Sequence, residues 1–343
     1  MLIVYNILQK AYFIYFYCKY IVPFTGISSK SIRYASFACI SCAVITTAFF
    51  FPSYATLSIC SNGVSNSYNI FVFASHFQIF PLELPKGSVM GLIGQNGAGK
   101  TTTLKSILGL VSSEGEIEIL GSVSGKETLA KKEEIGVVFD EMNFYETLTP
   151  EETGKIFNKI YKNWDRKQYQ EYLKKFRLPE KKEIKTFSKG MQVKLSLAVA
   201  LSHHAKLLIL DEATSGLDPV MRDEILDIFL DFVQDEEHSI LVSSHITSDL
   251  EKIADYITFI DNGRVLMSKP KDELIYEYGI ARCKESQFLQ MDQSEILTYR
   301  KQEYQYEVLV DHKEQIKRKY PDMVVDHATL DEIMLLYIKG ERK

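Results

Sequence analysis

The amino-acid sequence predicts an α/β fold: a mostly parallel sheet, an inserted helical subdomain and a small α+β extension at the C-terminal end. Three observations predict it. Short apolar strands alternate with helices between Phe77 and Met267, the pattern of parallel strands joined by crossover helices. A glycine-rich loop, Gly94-Gln95-Asn96-Gly97-Ala98-Gly99-Lys100-Thr101-Thr102, sits between a buried strand and a helix, the context that a phosphate-binding loop needs. A dense run of charged helical sequence separates two of the strands.

The first 82 residues differ from the rest of the chain. No Asp or Glu occurs before Glu83, and the charges there are Lys10, Lys19, Lys30 and Arg33. Setting those four aside from the net charge of −5 leaves roughly −9 on the rest, which disfavours a nucleic-acid partner. Ser36 to Ile59 carries no charge and is long enough to span a bilayer, although Pro52 interrupts it. Three readings of residues 1–76 stay open: a membrane segment, a leader that is not native coding sequence, or a buried aromatic extension. Cys18, Cys39, Cys42 and Cys60 lie in this leader and Cys283 is alone beyond it, which argues against a disulfide framework and for a cytoplasmic body.

From Phe77 the elements come in a regular order. Phe77, Ile79, Leu82 and Leu84 roughly alternate, and Pro85-Lys86-Gly87 turns into the apolar strand Val89–Ile93. A helix is expected over Thr103–Leu108, and strands over Glu116–Leu120 and Glu134–Phe139. Thr149-Pro150-Glu151-Glu152 is a capping box with proline at the first helical position. It opens helices over about 150–162 and 166–176, with Trp164 between them as a packing residue. Strands then fall at Leu207–Leu210, Ser239–Ser243, Tyr256–Asp261 and Arg264–Met267, with helices from Pro219 to about Val233 and over 247–254. From Ser268 the tail is strongly charged, with a strand at Tyr306–Val310 and an amphipathic helix at Thr329–Lys339.

In such sheets ligands gather at the carboxyl ends of the strands. The segment Gly94–Thr102 fits G-x-x-x-x-G-K-[ST], the Walker A pattern. Its glycines let backbone N–H groups curl around a polyphosphate, and the helix start adds partial positive charge. Lys100 is placed to reach the β- and γ-phosphates and Thr101 to ligate Mg²⁺. Asp211, after four apolar residues, is a strand-end carboxylate for Mg²⁺, and Glu212 beside it is placed to orient attacking water or take its proton. His245 ends another strand and can hydrogen-bond a γ-phosphate, whereas His203 and His204 read as structural.

The order Gly94–Thr102, Phe187-Ser188-Lys189-Gly190-Met191, Leu207–Glu212, Ser215-Gly216-Leu217-Asp218-Pro219 and Ser244-His245 resembles an ABC-type ATPase. It is most similar to the stand-alone ATP-binding subunits of bacterial ABC exporters. The similarity covers roughly Phe77 to Met267, and the charged tail resembles the extension of that group. The resemblance implies a cassette over 77–267 with a helical subdomain at about 141–190, and an accessory domain over 268–343. It implies ATP and Mg²⁺ as ligands, and a cytoplasmic ATPase at the inner face of the membrane. The expected partners are a second ATP-binding subunit and an integral membrane permease, docked on helices 150–176. Ser188 and Gly190 of one copy are expected at the γ-phosphate held by the other. A non-transport or degenerate ABC protein, acting as a regulatory or ribosome- or DNA-associated module, is the alternative. The sequence departs from the family pattern in three places. Lys189 replaces a glycine of the signature. Asp140 stands where the family has Gln, and is expected to face Mg²⁺ through a carboxylate oxygen. Phe71, with Tyr68 and Phe73 nearby, holds the place of the adenine-stacking aromatic.

Overall fold

Strands whose successive residues are all apolar need cover on both faces, and that requirement organises this molecule. A computed structural model describes residues 67–70, 82–111, 117–123, 131–141 and 144–341. The apolar run Ser36–Ile59 and the aromatics Phe71 and Phe73 lie outside the described residues, and Tyr68 falls on a strand described by its backbone alone.

The described residues open with an antiparallel pair, β1 (Ser67–Ile70) and β2 (Leu82–Pro85). β3 (Val89–Ile93) leads through the glycine-rich loop into α1 (Lys100–Ile107). A two-residue pair, β4 (Glu118–Ile119) and β5 (Ser122–Val123), comes before β6 (Ile135–Val138). Then come three helices: α2 (Pro150–Ile160), α3 (Arg166–Lys175) and α4 (Lys189–Leu201). They lead to β7 (Leu207–Asp211), α5 (Pro219–Phe232), β8 (Ser239–Ser244), α6 (Thr247–Ile253), β9 (Tyr256–Asp261) and β10 (Arg264–Pro270).

The six-stranded sheet has the order β10-β9-β3-β8-β7-β6, parallel throughout except for the β9–β10 hairpin. Its strands are read by alternation. Leu207 and Ile209 enter one apolar cluster with Leu92, Leu104 and Leu241. Leu208 and Leu210 enter the opposite one with Ile240, Val242 and Phe229. Each such buried side chain contributes about 1.5–3 kcal/mol.

Several of the helices begin where side chains satisfy free backbone amides. Thr149 and Glu152 form a reciprocal capping box on α2, and Asp165, Ser188 and Asp218 cap α3, α4 and α5. Trp164 packs against Phe157 and Tyr161, with centroids 6.0 and 6.4 Å away. His203 stacks on Tyr161 at 4.0 Å and its Nδ1 lies 2.9 Å from the Glu133 carbonyl oxygen.

Beyond β10 come α7 (Lys271–Tyr276), β11 (Gly279–Cys283), α8 (Glu285–Phe288), β12 (Thr298–Lys301), β13 (Tyr306–Val310), α9 (Lys313–Lys319), β14 (Val324–His327) and α10 (Leu330–Lys339). The four strands make an antiparallel sheet of order β12-β13-β11-β14. Leu330, Ile333 and Leu336 of α10 join the same apolar cluster as Leu250 and Ile253 of α6. Among the described residues no helix is long and apolar enough to cross a membrane.

Three elements differ from their sequence-based bounds. α1 starts at Lys100 rather than Thr103, because the Thr103 amide already donates to the Gly99 carbonyl. The strand expected over Glu116–Leu120 shrinks to two residues where Leu120 turns into the left-handed region, at φ 51°. β10 runs on to Pro270 because its pairing with β9 continues past a register shift at Val265–Met267.

Candidate functional site

The loop after β3 is shaped by crowding on one side and openness on the other. A Cβ at Gly94 would lie 2.3 Å from the Ile260 carbonyl oxygen, so only glycine fits there. Gly97 and Gly99 take φ values of 84° and 109°, which non-glycine residues adopt at a cost. Alternating the backbone in this way turns successive amides toward a common hollow suited to an anion. Gln95, Asn96 and Gly97 form the exposed tip, while Ala98 is buried and its carbonyl accepts from the Gly263 amide at 2.7 Å.

Lys100 folds back beneath this loop. Its Nζ donates to the Gly94 carbonyl at 2.7 Å and the Gln95 carbonyl at 3.4 Å, and lies 3.2 Å from Glu212 Oε1. Lys100 is 6 % exposed and the Glu212 side chain 14 %, so the pair is shielded from solvent screening. The other oxygen of Glu212, Oε2, is 2.6 Å from His245 Nδ1 and accepts from the His245 amide at 3.3 Å. One carboxylate therefore bridges the phosphate loop and the end of β8. Glu212 itself has φ 52°.

A second chain of contacts runs beside the first. Thr101 Oγ1 donates to Asp211 Oδ1 at 3.1 Å, and Ser243 Oγ donates to the same oxygen at 2.6 Å. Thr101 and Asp211 thus bring a hydroxyl and a carboxylate together next to the loop, the hard oxygen set that Mg²⁺ takes along with phosphate oxygens and water. Thr102 continues into α1, partly buried.

Asp140, Ser188 and Gly190 are engaged with other partners. Asp140 Oδ1 accepts from Lys189 Nζ at 2.7 Å, with both side chains well exposed. The negative charge at the end of β6 has found the positive charge at the start of α4. Ser188 is spent locally as an N-cap, accepting from the Met191 amide at 3.3 Å, and Gly190 packs against Met221. Sequence reasoning does not single out Ser243. The only signal for it is a hydroxyl where the apolar run Ile240-Leu241-Val242 meets the strand end.

The ABC transporter family model matches residues 77–215. The lantibiotic transport ATP-binding protein SrtF of Streptococcus pyogenes is 37% identical over 194 residues, which cover 56% of this chain and 82% of SrtF. The chain belongs to the ABC transporter ATP-binding family. This ABC chain is also 37% identical over 202 residues to the linearmycin resistance ATP-binding protein LnrL of Bacillus subtilis (strain 168). That match covers 57% of the ABC chain and 65% of LnrL, so the chain spans just under two thirds of that relative's length. A solved structure described as the ATP-binding subunit of an ABC transporter is similar at 26% identity with a TM-score of 0.53, over 61% of this chain and 92% of that one.

Proposed function

We propose that this chain binds and hydrolyses ATP as the motor subunit of an exporter. Two copies close around ATP and drive a separate membrane permease. The observation that carries the reading is Glu212, held between Lys100 and His245 at the carboxyl ends of neighbouring strands. Lys100 binds the β- and γ-phosphates, and the loop amides of Gly94–Thr102 hold the rest of the polyphosphate. Glu212 orients the attacking water and accepts its proton, and His245 fixes the orientation of that carboxylate. Thr101 and Asp211 hold Mg²⁺, which neutralises charge on the phosphates when bound. The adjacency of their oxygens supports that assignment.

Ser188 and Gly190 lie at the start of α4, Ser188 bonded to the Met191 amide and Gly190 beside Met221. On this reading they serve the nucleotide of a second copy, since a helix start suits an anion. The names of SrtF and LnrL, lantibiotic transport and linearmycin resistance, support export of an antibiotic-like molecule. The polar surface of α2 and α3 is the docking face for the permease, and the assembly sits at the cytoplasmic face of the membrane. Purified protein should release phosphate from ATP in the presence of Mg²⁺, and Lys100→Ala should lower ATP affinity by about two orders of magnitude. Unchanged ATP binding by Lys100→Ala would overturn the reading.

A further inference from the structure

We propose that Ser243 is a positioning residue that sets Asp211 and Glu212 together, through a single hydroxyl; the inference rests on the ATPase reading above. In the parallel register of β7 and β8, Asp211 lies opposite Ser243, so their side chains leave the sheet on the same face. Ser243 is 0 % exposed and Asp211 is 4 % exposed. Ser243 Oγ donates to Asp211 Oδ1 at 2.6 Å and accepts from the Glu212 amide at 3.2 Å. The Ser243 carbonyl accepts from that same amide at 3.1 Å.

The second contact matters because of the backbone it fixes. Glu212 has φ 52°, a left-handed conformation that L-residues other than glycine adopt at a cost. That conformation aims the Glu212 carboxylate toward Lys100 and His245. Packing alone asks nothing polar of this position, since Ile240, Leu241 and Val242 before it fill the two apolar clusters. Both hydrogen bonds of the hydroxyl go instead to the Asp211-Glu212 pair. One hydroxyl therefore fixes the carboxylate assigned to the divalent cation and the backbone of the one assigned to water.

The test uses the full chain with a fluorescent ATP analogue, titrated in EDTA and then in Mg²⁺, alongside steady-state phosphate release. Wild-type protein should bind more tightly with Mg²⁺ than without. Ser243→Ala should keep its metal-free affinity within about twofold, lose about tenfold of the Mg²⁺-dependent tightening, and lose turnover. Ser243→Thr keeps the hydroxyl and should restore both. A Ser243→Ala protein with wild-type Mg²⁺ tightening and turnover overturns the proposal. So does loss of metal-free binding, which assigns the hydroxyl to the fold. A wild-type chain that neither binds nor hydrolyses ATP overturns the underlying ATPase reading, a result distinct from either of these.

Discussion

Lys100 Nζ lies 3.2 Å from Glu212 Oε1, so the lysine assigned to phosphate is already paired with the carboxylate assigned to water. ATP has to compete for that lysine. Glu212→Gln removes the competing charge together with the proton acceptor. Its ATP affinity should rise by several-fold to about tenfold, while turnover falls by about 10²–10⁴. Nucleotide titration and phosphate release check the two effects separately. Steady hydrolysis by the variant would remove Glu212 from its assigned role.

The Lys189–Asp140 pair joins the helical layer to the end of β6, yet its two side chains are 41% and 47% exposed. Exposure sets its worth. A double-mutant cycle of Lys189→Gln and Asp140→Asn should give a coupling of about 0.2–1 kcal/mol at low salt. Near 1 M salt, where the screening length falls to about 3 Å, the coupling should vanish. Urea unfolding at the two ionic strengths measures it, and a salt-independent coupling above about 2 kcal/mol would contradict the assignment as a solvent-exposed pair.

Gly154 sets two opposing effects against each other. Alanine is favoured over glycine inside a helix by about 1 kcal/mol. Here, however, a Cβ would lie 2.5 Å from the Tyr169 ring, which is buried and anchored by a hydroxyl donating to the Pro150 carbonyl at 2.8 Å. Overpacking of this kind costs about 1–3 kcal/mol. Gly154→Ala should therefore be destabilised by about 1 kcal/mol in denaturant unfolding. A stabilised variant would mean that the ring gives way freely.

His203 makes stability depend on pH. Burial holds its imidazole below the usual value of 6.5, against the opposing pull of the hydrogen bond to the Glu133 carbonyl. Above pH 6.5 the ring is neutral in the folded and unfolded chains alike. Below it the unfolded chain takes up the proton first, so stability is lost as pH falls from 6.5 toward the lowered folded value. His203→Phe, which keeps a ring on Tyr161, should show a flatter thermal midpoint between about pH 7.5 and 5.5 than wild type. Parallel pH profiles would assign the acid sensitivity to other groups.

How much of the molecule is legible in the sequence depends on how local each signal is. Val89–Ile93 and Tyr256–Asp261 are read without error because buried strands are continuous apolar runs bounded by turns. The phosphate loop is legible for the same reason: its residues are contiguous, and their spacing is the signal. Contacts that depend on strand order are hidden. Ser243 reaches Asp211 across 32 residues, and Lys189 reaches Asp140 across 49. Read in isolation, Asp140 suggests a metal ligand, and Lys189 only a glycine replaced in the signature. Only the fold reveals that each charge has the other for company. The extension of β10 through Ser268 and Lys269 is likewise silent in the sequence, since polar residues on an edge strand carry no periodic mark.

The packing of α10 on α6 has a mechanical consequence. α6 begins two residues after His245, and its Leu250 and Ile253 share one apolar cluster with Leu330, Ile333 and Leu336, and with Ile280 and Leu309 of the small sheet. The last helix thus packs behind α6, the helix into which the His245 loop leads. Because the Asp255 amide after α6 donates to the Val89 carbonyl and Pro270 pairs with Tyr256, the C-terminal elements leave the large sheet at the end opposite the phosphate loop and brace it from there.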